Sequence, residues 1–239
     1  MHRVGIKVDN YYASEIDKYA IKVTQNNYPT TIQLGDVKQI KIKDLQHVSL
    51  LIGGSPCQGF SRANDGRLNF EDERSQLVLE YIRLFNELRP KWFLLENVVM
   101  DKFCEDYISE ELDVQPVLIN SDRFIQQNRP RLYWTNISIA ELPKRPDWKY
   151  QYAQFRRYYW RENKNGVCPC LTANMGTGGN NVPYIIENGN KRVLTVEELE
   201  ELQTLPKGYT EGICNTQRKK CIGNGWTVDV ISHIFKGLK

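Results

Sequence analysis

Cys57 stands in the run Gly53-Gly54-Ser55-Pro56-Cys57-Gln58-Gly59-Phe60-Ser61, directly after the most apolar stretch of the chain, His47 to Gly54 (HVSLLIGG). A Gly/Pro-rich loop there presents a thiol at the carboxyl end of a strand, and exposure rather than burial is what a nucleophilic thiolate needs. Taken alone, a loop cysteine more often has no role. A second strand-like stretch, Lys91 to Glu96 (KWFLLE), ends at Glu96-Asn97-Val98 and brings a carboxyl group to the end of a neighbouring strand. By itself Glu96 reads equally well as an ordinary strand-end or helix-cap carboxylate. Gln127-Asn128-Arg129-Pro130-Arg131 precedes a further strand-like run, Leu132 to Ile137. Two guanidiniums on alternate residues of an extended segment point to the same side, where they can grip a phosphate together with a base edge or carboxylate. A solvated basic loop is the commoner fate of Arg-x-Arg. A thiol, a carboxyl and paired arginines on three neighbouring loops form a rarer set than any one of them.

The elements that must position these groups alternate along the first half of the chain. Val8 to Ser14 reads as a strand, Ile16 to Asn27 as a helix and Thr31 to Leu34 as a strand closed by Gly35-Asp36. His47 to Gly54 is a buried-strand pattern, and Arg74 to Arg89 places Leu77, Tyr81, Leu84, Phe85 and Leu88 on one helical face. Strands separated by helices of this length imply right-handed crossovers and an α/β fold with a doubly wound, mostly parallel sheet. Such sheets carry their chemistry at the carboxyl ends of the strands, where Glu15, Asp36, Ser55 to Ser61 and Glu96-Asn97 all fall. After Asn136 the texture changes to aromatic and basic residues, Tyr150 to Arg161, and then to the Gly/Asn-rich run Gly176 to Asn181. Helical periodicity resumes from Arg192, and Gly223-Asn224-Gly225-Trp226 leads into a last helix over Val228 to Phe235. The expected division is 1–137, a catalytic core; 138–191, a smaller second region; and 192–239, a segment returning to the core.

Composition narrows the setting. With 239 residues, 41% hydrophobic and 26% charged, the chain can bury a sizeable core. Its mean hydropathy is −0.54, and it has neither an apolar run of about 18 residues nor a signal-peptide start, which predicts a cytoplasmic protein without a membrane span. The six cysteines read as reduced thiols. Cys168-Pro169-Cys170 is too tight for a zinc knuckle and histidines number only three, so no metal site is expected. A net charge of +3 is compatible with nucleic acid without demanding it.

With these residues in view, the sequence resembles the DNA (cytosine-5) methyltransferases. The likeness rests on Pro56-Cys57-Gln58 with Phe60-Ser61, on Glu96-Asn97-Val98, on Gln127-x-Arg129-x-Arg131 and on Gly223-Asn224-Gly225-Trp226-Thr227-Val228, in the family's order and spread along the chain. Gly5 to Glu15, the Gly35-Asp36-Val37 turn and the ending His233-Ile234-Phe235 are most similar to bacterial or phage members and to the catalytic domain of animal de novo methyltransferases.

The resemblance implies a Rossmann-like fold that uses S-adenosyl-L-methionine and acts on double-stranded DNA. It implies a catalytic set of Cys57, which adds to cytosine C6; Glu96, which contacts N3 and the exocyclic amine; Arg131, which orients the base and Glu96; and Arg129, which holds the loop or a phosphate. For the cofactor it implies Glu15 on the ribose hydroxyls, Ile16 on the adenine and Asp36 and Val37 at its edge, with Pro56, Leu77, Asn224 and Trp226 lining the rest. The target base must be flipped out of the duplex, with the loop from Gly59 to Asn69 closing over it. Gln58, Ser61, Arg62, Arg67, Arg156 and Arg157 are the expected DNA contacts, and 138–191 stands where the family carries its target-recognition segment. The family's Gly-rich first motif would fall ahead of Met1, so the first strand and its Gly-rich loop are expected to be absent from this sequence. That leaves a shortened chain, a piece supplied by a second chain, or a silent DNA-binding protein of the same fold, beside a tRNA cytosine methyltransferase as a further alternative. Association with a restriction nuclease is in keeping with the bacterial and phage likeness.

Overall fold

The computed structural model describes residues 1–56, 59–60, 68–148, 150–156, 159–163, 165–175 and 182–238. They form two compact units, each assembled from three stretches of chain: residues 1–33, 120–129 and 140–233 in the first, and 34–119, 130–139 and 234–239 in the second.

The second unit is built on a four-stranded sheet. Its strands are β3 (Leu50–Gly54), β4 (Trp92–Val98), β5 (Val117–Asn120) and β6 (Pro130–Thr135), in the spatial order β3-β4-β6-β5. Strand β4 is buried along nearly its whole length, as its unbroken apolar run requires of a strand covered on both faces. Parallel neighbours need a crossover, and α2 (Leu77–Leu88) supplies it between β3 and β4, which pair in parallel. Helix α2 buries Val78, Tyr81, Ile82 and Leu84, and ends where Arg89 turns left-handed at φ 43° before Pro90. Helix α3 (Lys102–Leu112) follows β4 and sends Cys104, Ile108 and Leu112 into the same core. Strand β6 enters from residues 121–129, which hold a single 3-10 turn, and runs antiparallel to β4, so the sheet is mixed. Trp134 on β6 is fully buried and donates its indole N–H to Ser109 Oγ at 2.9 Å.

The first unit contains the short parallel pair β1 (Tyr12–Ala13) and β2 (Ile32–Gln33), so the expected strand over Val8 to Ser14 shrinks to two residues. Between them lies α1 (Lys18–Asn27), capped by Asp17, whose side chain accepts from Tyr19 N at 2.9 Å. The region after residue 140 forms an antiparallel sheet of β7 (Gln151–Arg156), β8 (Tyr159–Glu162), β9 (Pro183–Glu187) and β10 (Asn190–Val193), ordered β10-β9-β7-β8. Its Tyr152 and Ile185 join a core completed by α4 (Val196–Leu202) and α5 (Asn215–Asn224). Helix α4 starts on a capping box between Thr195 and Glu198, and the last α-helix is α6 (Val228–Phe235), followed by a 3-10 turn over Lys236–Leu238. Asp17 ties α1 to α5 through Lys220 at 2.8 Å.

The compact units partition the chain differently from the division by role into 1–137, 138–191 and 192–239. Among the described residues no helix is long and apolar enough to cross a membrane, no cluster of metal-binding side chains occurs, and Cys104, Cys168, Cys170, Cys214 and Cys221 are free thiols.

Candidate active site

In the second unit the register of the central strands assembles a polar group around Glu96. Gly54, the last residue of β3, pairs with Glu96 on β4, while on the other side Val98 faces Arg131 of β6. Glu96 and Val98 share a face, so Arg131 is the diagonal neighbour of Glu96 and its Nε reaches Glu96 Oε1 at 2.9 Å. Both side chains are nearly buried, 12% and 9% exposed, so the pair is held in a medium that screens it poorly. Arg131 Nη1 also donates to the carbonyl of Pro130 at 2.8 Å, which fixes the guanidinium plane.

Asn97, one residue on, points to the opposite face, as strand alternation dictates. Its Nδ2 donates to Ser55 Oγ at 2.8 Å and its Oδ1 accepts from Val98 N at 2.8 Å. The segment leaving β3 toward Cys57 is thereby tied to the end of β4. Cys57 itself lies outside the described residues, as do Gln58, Ser61, Arg62, Arg67 and Arg157. Arg156 ends β7, and its side chain lies outside the description. The stretch on the far side of Cys57 is anchored at both of its described ends: Asn69 N donates to Gly59 O at 2.9 Å, and buried Phe60 packs edge-to-face on Phe70 with ring centroids 5.3 Å apart. Gly59 leaves no room for a side chain, since a Cβ there would meet Asp72 at 2.7 Å and the Asn69 carbonyl at 2.9 Å.

The other expected residues fall at element ends. Asp36 caps a 3-10 turn over Val37–Gln39 through Lys38 N at 3.0 Å, and the Val37 carbonyl accepts from Arg83 Nη2 at 3.2 Å. Leu77 is the first residue of α2, and Pro56 is half-buried beyond β3. In the first unit, Glu15 accepts from Ile16 N and Asp17 N at 2.7 and 2.8 Å, both on Oε1, which leaves Oε2 for another donor. Ile16 is 76% exposed, an aliphatic side chain that the fold leaves in water. Asn224 ends α5 and is exposed, with Trp226 half-buried two residues on.

Arg129 separates from Arg131 in role. It is buried, its Nη1 donating to Leu171 O at 2.8 Å and its Nη2 to Gly223 O at 3.1 Å and Gly225 O at 2.7 Å. Gln127, also fully buried, donates to Leu202 O at 2.6 Å and accepts from Leu171 N at 3.2 Å. Sequence reasoning named Asn97, Ser55 and Gln127 within their motifs without giving them a role, and missed the buried carboxylate Glu200. Glu200 accepts from Gly208 N and Thr210 N at 2.7 Å each and from Arg218 at 3.2 Å. The signal for Asn97 was its place beside Glu96, whereas Glu200 sits in an acidic helix indistinguishable from a solvated face.

Comparison with known proteins gives the family and the fold. The family model described as C-5 cytosine-specific DNA methylase matches residues 1–141 and 133–239. The chain is 30% identical over 287 residues to the type II methyltransferase M.Bsp6I of Bacillus sp. (strain RFL6), covering 96% of this chain and 91% of the relative. It is 35% identical over 161 residues to the orphan methyltransferase M.SPRI of Bacillus phage SPR, covering 62% of this chain and 36% of that protein. In fold it is similar to a triple mutant of Spodoptera frugiperda DNMT2, with a TM-score of 0.71 at 18% identity over 99% of this chain and 94% of that one. It is likewise similar to the S. pombe Dnmt2 methyltransferase, with a TM-score of 0.71 at 16% identity over 98% and 92%. A cysteine loop, a paired glutamate and arginine and a family match running the length of the sequence lead to one conclusion: the chain belongs to the C-5 cytosine-specific DNA methylase family.

Proposed function

We infer that this DNA cytosine-5 methyltransferase works through a covalent Cys57 adduct on a cytosine flipped out of duplex DNA. The observation that carries the reading is the buried Glu96–Arg131 pair at 2.9 Å, set beside the strand end that runs on toward Cys57. Cytosine C5 is a poor nucleophile. Addition of the Cys57 thiolate forms an S–C6 bond and moves the C5–C6 electron pair onto C5, which becomes able to attack an electrophilic carbon. Glu96 holds N3 and the exocyclic amine as the ring takes up charge, and Arg131 keeps the Glu96 carboxylate in place for it. Loss of the C5 proton to a base then returns the pair to the C5–C6 bond and expels the thiolate.

S-adenosyl-L-methionine, when bound, supplies the electrophilic sulfonium methyl. The residues fit it: exposed Ile16 offers an aliphatic surface to the adenine, and Glu15 Oε2 offers an acceptor to the ribose hydroxyls. Asp36 and Val37 would meet the adenine edge, with Pro56, Leu77, Asn224 and Trp226 as further contacts. Arg129 holds backbone carbonyls rather than reacting atoms. Gln58, Ser61, Arg62, Arg67, Arg156 and Arg157 are proposed to contact DNA, with 138–191 as the recognition region between 1–137 and 192–239. Action on DNA in a bacterial cytoplasm, within or outside a restriction-modification pair, follows from the same reading.

The test is radiolabelled methyl transfer to unmethylated duplex DNA, with tRNA as competitor. Duplex DNA carrying 5-fluorocytosine serves as a covalent trap, because fluorine at C5 cannot leave as a proton. Wild-type protein is expected to label DNA and to form a denaturant-resistant adduct. Cys57→Ser should do neither, and labelling that survives this substitution would sink the mechanism.

A further inference from the structure

A buried amide lies behind the turn that carries Asn224 and Trp226. Gln203, directly after α4, is fully buried, and all four hydrogen-bonding positions of its amide are used. Its Nε2 donates to the carbonyls of Ile222 at 2.8 Å and Gly225 at 3.1 Å. Its Oε1 accepts from Thr227 Oγ1 at 2.8 Å and from Gln127 Nε2 at 3.3 Å. Its own carbonyl accepts from Val228 N at 3.0 Å, at the first residue of α6. One residue therefore grips the turn at 222, 225, 227 and 228, on both sides of Trp226.

The orientation of that amide is dictated by its neighbours. A flipped Gln203 would set Oε1 against two carbonyl oxygens, a repulsive arrangement with no donor. Thr227 gives its hydroxyl proton to Gln203, and Ser121 Oγ lies within hydrogen-bond distance of both Thr227 Oγ1, at 2.9 Å, and the Arg129 carbonyl, at 3.3 Å. Arg129 clamps the same turn through Gly223 and Gly225, and Gly223 packs so closely on the backbone of Thr172 and Ala173 that a Cβ would collide with it. This buried network, in which every polar position of the Gln203 amide is paired, wraps a short segment that carries exposed Asn224 and half-buried Trp226.

We propose that Gln203 is a positioning residue for the cofactor: it holds the turn from Gly223 to Trp226 in its binding conformation before the cofactor arrives. Binding then does not have to supply the ordering of that segment. The proposal rests on the reading of Asn224 and Trp226 as cofactor contacts.

The experiment is calorimetric titration of the full chain with S-adenosylhomocysteine, together with steady-state kinetics and thermal unfolding. Gln203→Met keeps the volume and removes the polar atoms, Gln203→Glu turns an oxygen on two carbonyls, and Thr227→Val removes the hydroxyl bonds to Gln203 and Ser121. Gln203→Met should weaken Kd about tenfold, the scale of a hydrogen bond or two. It should raise KM for the methyl donor by the same factor, leave kcat at saturation within about twofold, and retain cooperative unfolding. Gln203→Glu should weaken binding further. An unchanged Kd in a cooperatively unfolding Gln203→Met overturns the proposal, and so does a fall in kcat with KM unaltered. If Gln203→Met fails to fold, Thr227→Val decides, with a Kd weakened about threefold expected and an unchanged one overturning it. Asn224→Ala and Trp226→Ala separate the two levels: unchanged Kd in both removes the cofactor reading itself. Weakened binding there with none in the Gln203 variants removes only the positioning role.

Discussion

At the scale of residues, the pair Glu96 and Arg131 is where charge, burial and chemistry meet. Its side chains are 9% and 12% exposed, and a buried ion pair that loses one partner leaves an uncompensated charge. Arg131→Met is therefore expected to lower unfolding stability by about 3–5 kcal/mol. The double variant Arg131→Met with Glu96→Gln should recover a large part of that loss without recovering activity. Urea unfolding of the two single variants and the double variant measures the coupling, and additive losses would show that the two side chains do not interact. Glu96 and Arg131 were legible as polar residues at strand ends, and their link came from the family resemblance; the shared grip expected of Arg129 and Arg131 is not formed, because Arg129 spends its guanidinium on the carbonyls of Leu171, Gly223 and Gly225. Gln203 and Glu200 were not, since a glutamine and a glutamate in Val-Glu-Glu-Leu-Glu-Glu-Leu-Gln look like the wet side of a helix until Gln127, Thr227 and Arg218 are seen around them.

At the scale of elements, two short features carry testable weight. The chain enters α2 through Asp72, whose carboxylate accepts from Arg74 N at 2.9 Å and from the Arg74 guanidinium at 2.6 Å. Those bonds to Arg74 hold the Asp72 carboxyl down at about 2. A carboxyl depressed in the folded state adds stability above its unfolded value of about 3.9, and that addition fades as pH falls toward the folded value. The melting-temperature difference between wild type and Asp72→Asn should be constant above about pH 5 and close by about pH 2; a difference that grows toward acid would refute the assignment. The second feature is Gly223, where Gly223→Ala drives a methyl into the backbone of Thr172 and Ala173. A destabilisation of about 1–3 kcal/mol by urea unfolding is expected, and a neutral result would mean that the two segments separate freely. Most elements were readable: α6 occupies the expected Val228–Phe235, β3 and α2 lie inside the expected runs, and β4 extends two residues past the expected Lys91 to Glu96. Helix α5 escaped because Asn-Thr-Gln-Arg-Lys-Lys-Cys-Ile-Gly-Asn has no apolar stripe; tertiary bonds such as those of Arg218 to Glu197 and Glu200 hold it instead. Strand β1 came out shorter than its β-rich sequence suggests, because pairing with β2, not propensity, sets its length.

At the scale of the whole molecule, interleaving is the governing fact, since each compact unit draws on three separated stretches of the chain. No cut in the sequence yields a continuous piece that holds one complete unit and nothing else. A fragment of residues 34–139 lacks the closing 234–239, and a fragment of 140–233 lacks 1–33 and 120–129. Neither is expected to unfold cooperatively, and well-dispersed amide spectra from either alone would contradict that expectation. This arrangement was invisible to a reading that moves along the chain, because the sequence marks where elements start and stop but not which distant stretch completes a core. Interleaving also sets the order of events during synthesis. Residues 1–33 leave the ribosome well ahead of 140–233, which completes their unit, and Lys220 on α5, the partner of Asp17, follows it by 203 residues. At about 5–20 residues per second that is a wait of roughly 10–40 s, during which α1 stands without its partners. Early polar residues such as Asp17, Asn26 and Asn27, which later find Lys220, Glu211 and Tyr209, keep the waiting segment in water rather than in aggregates.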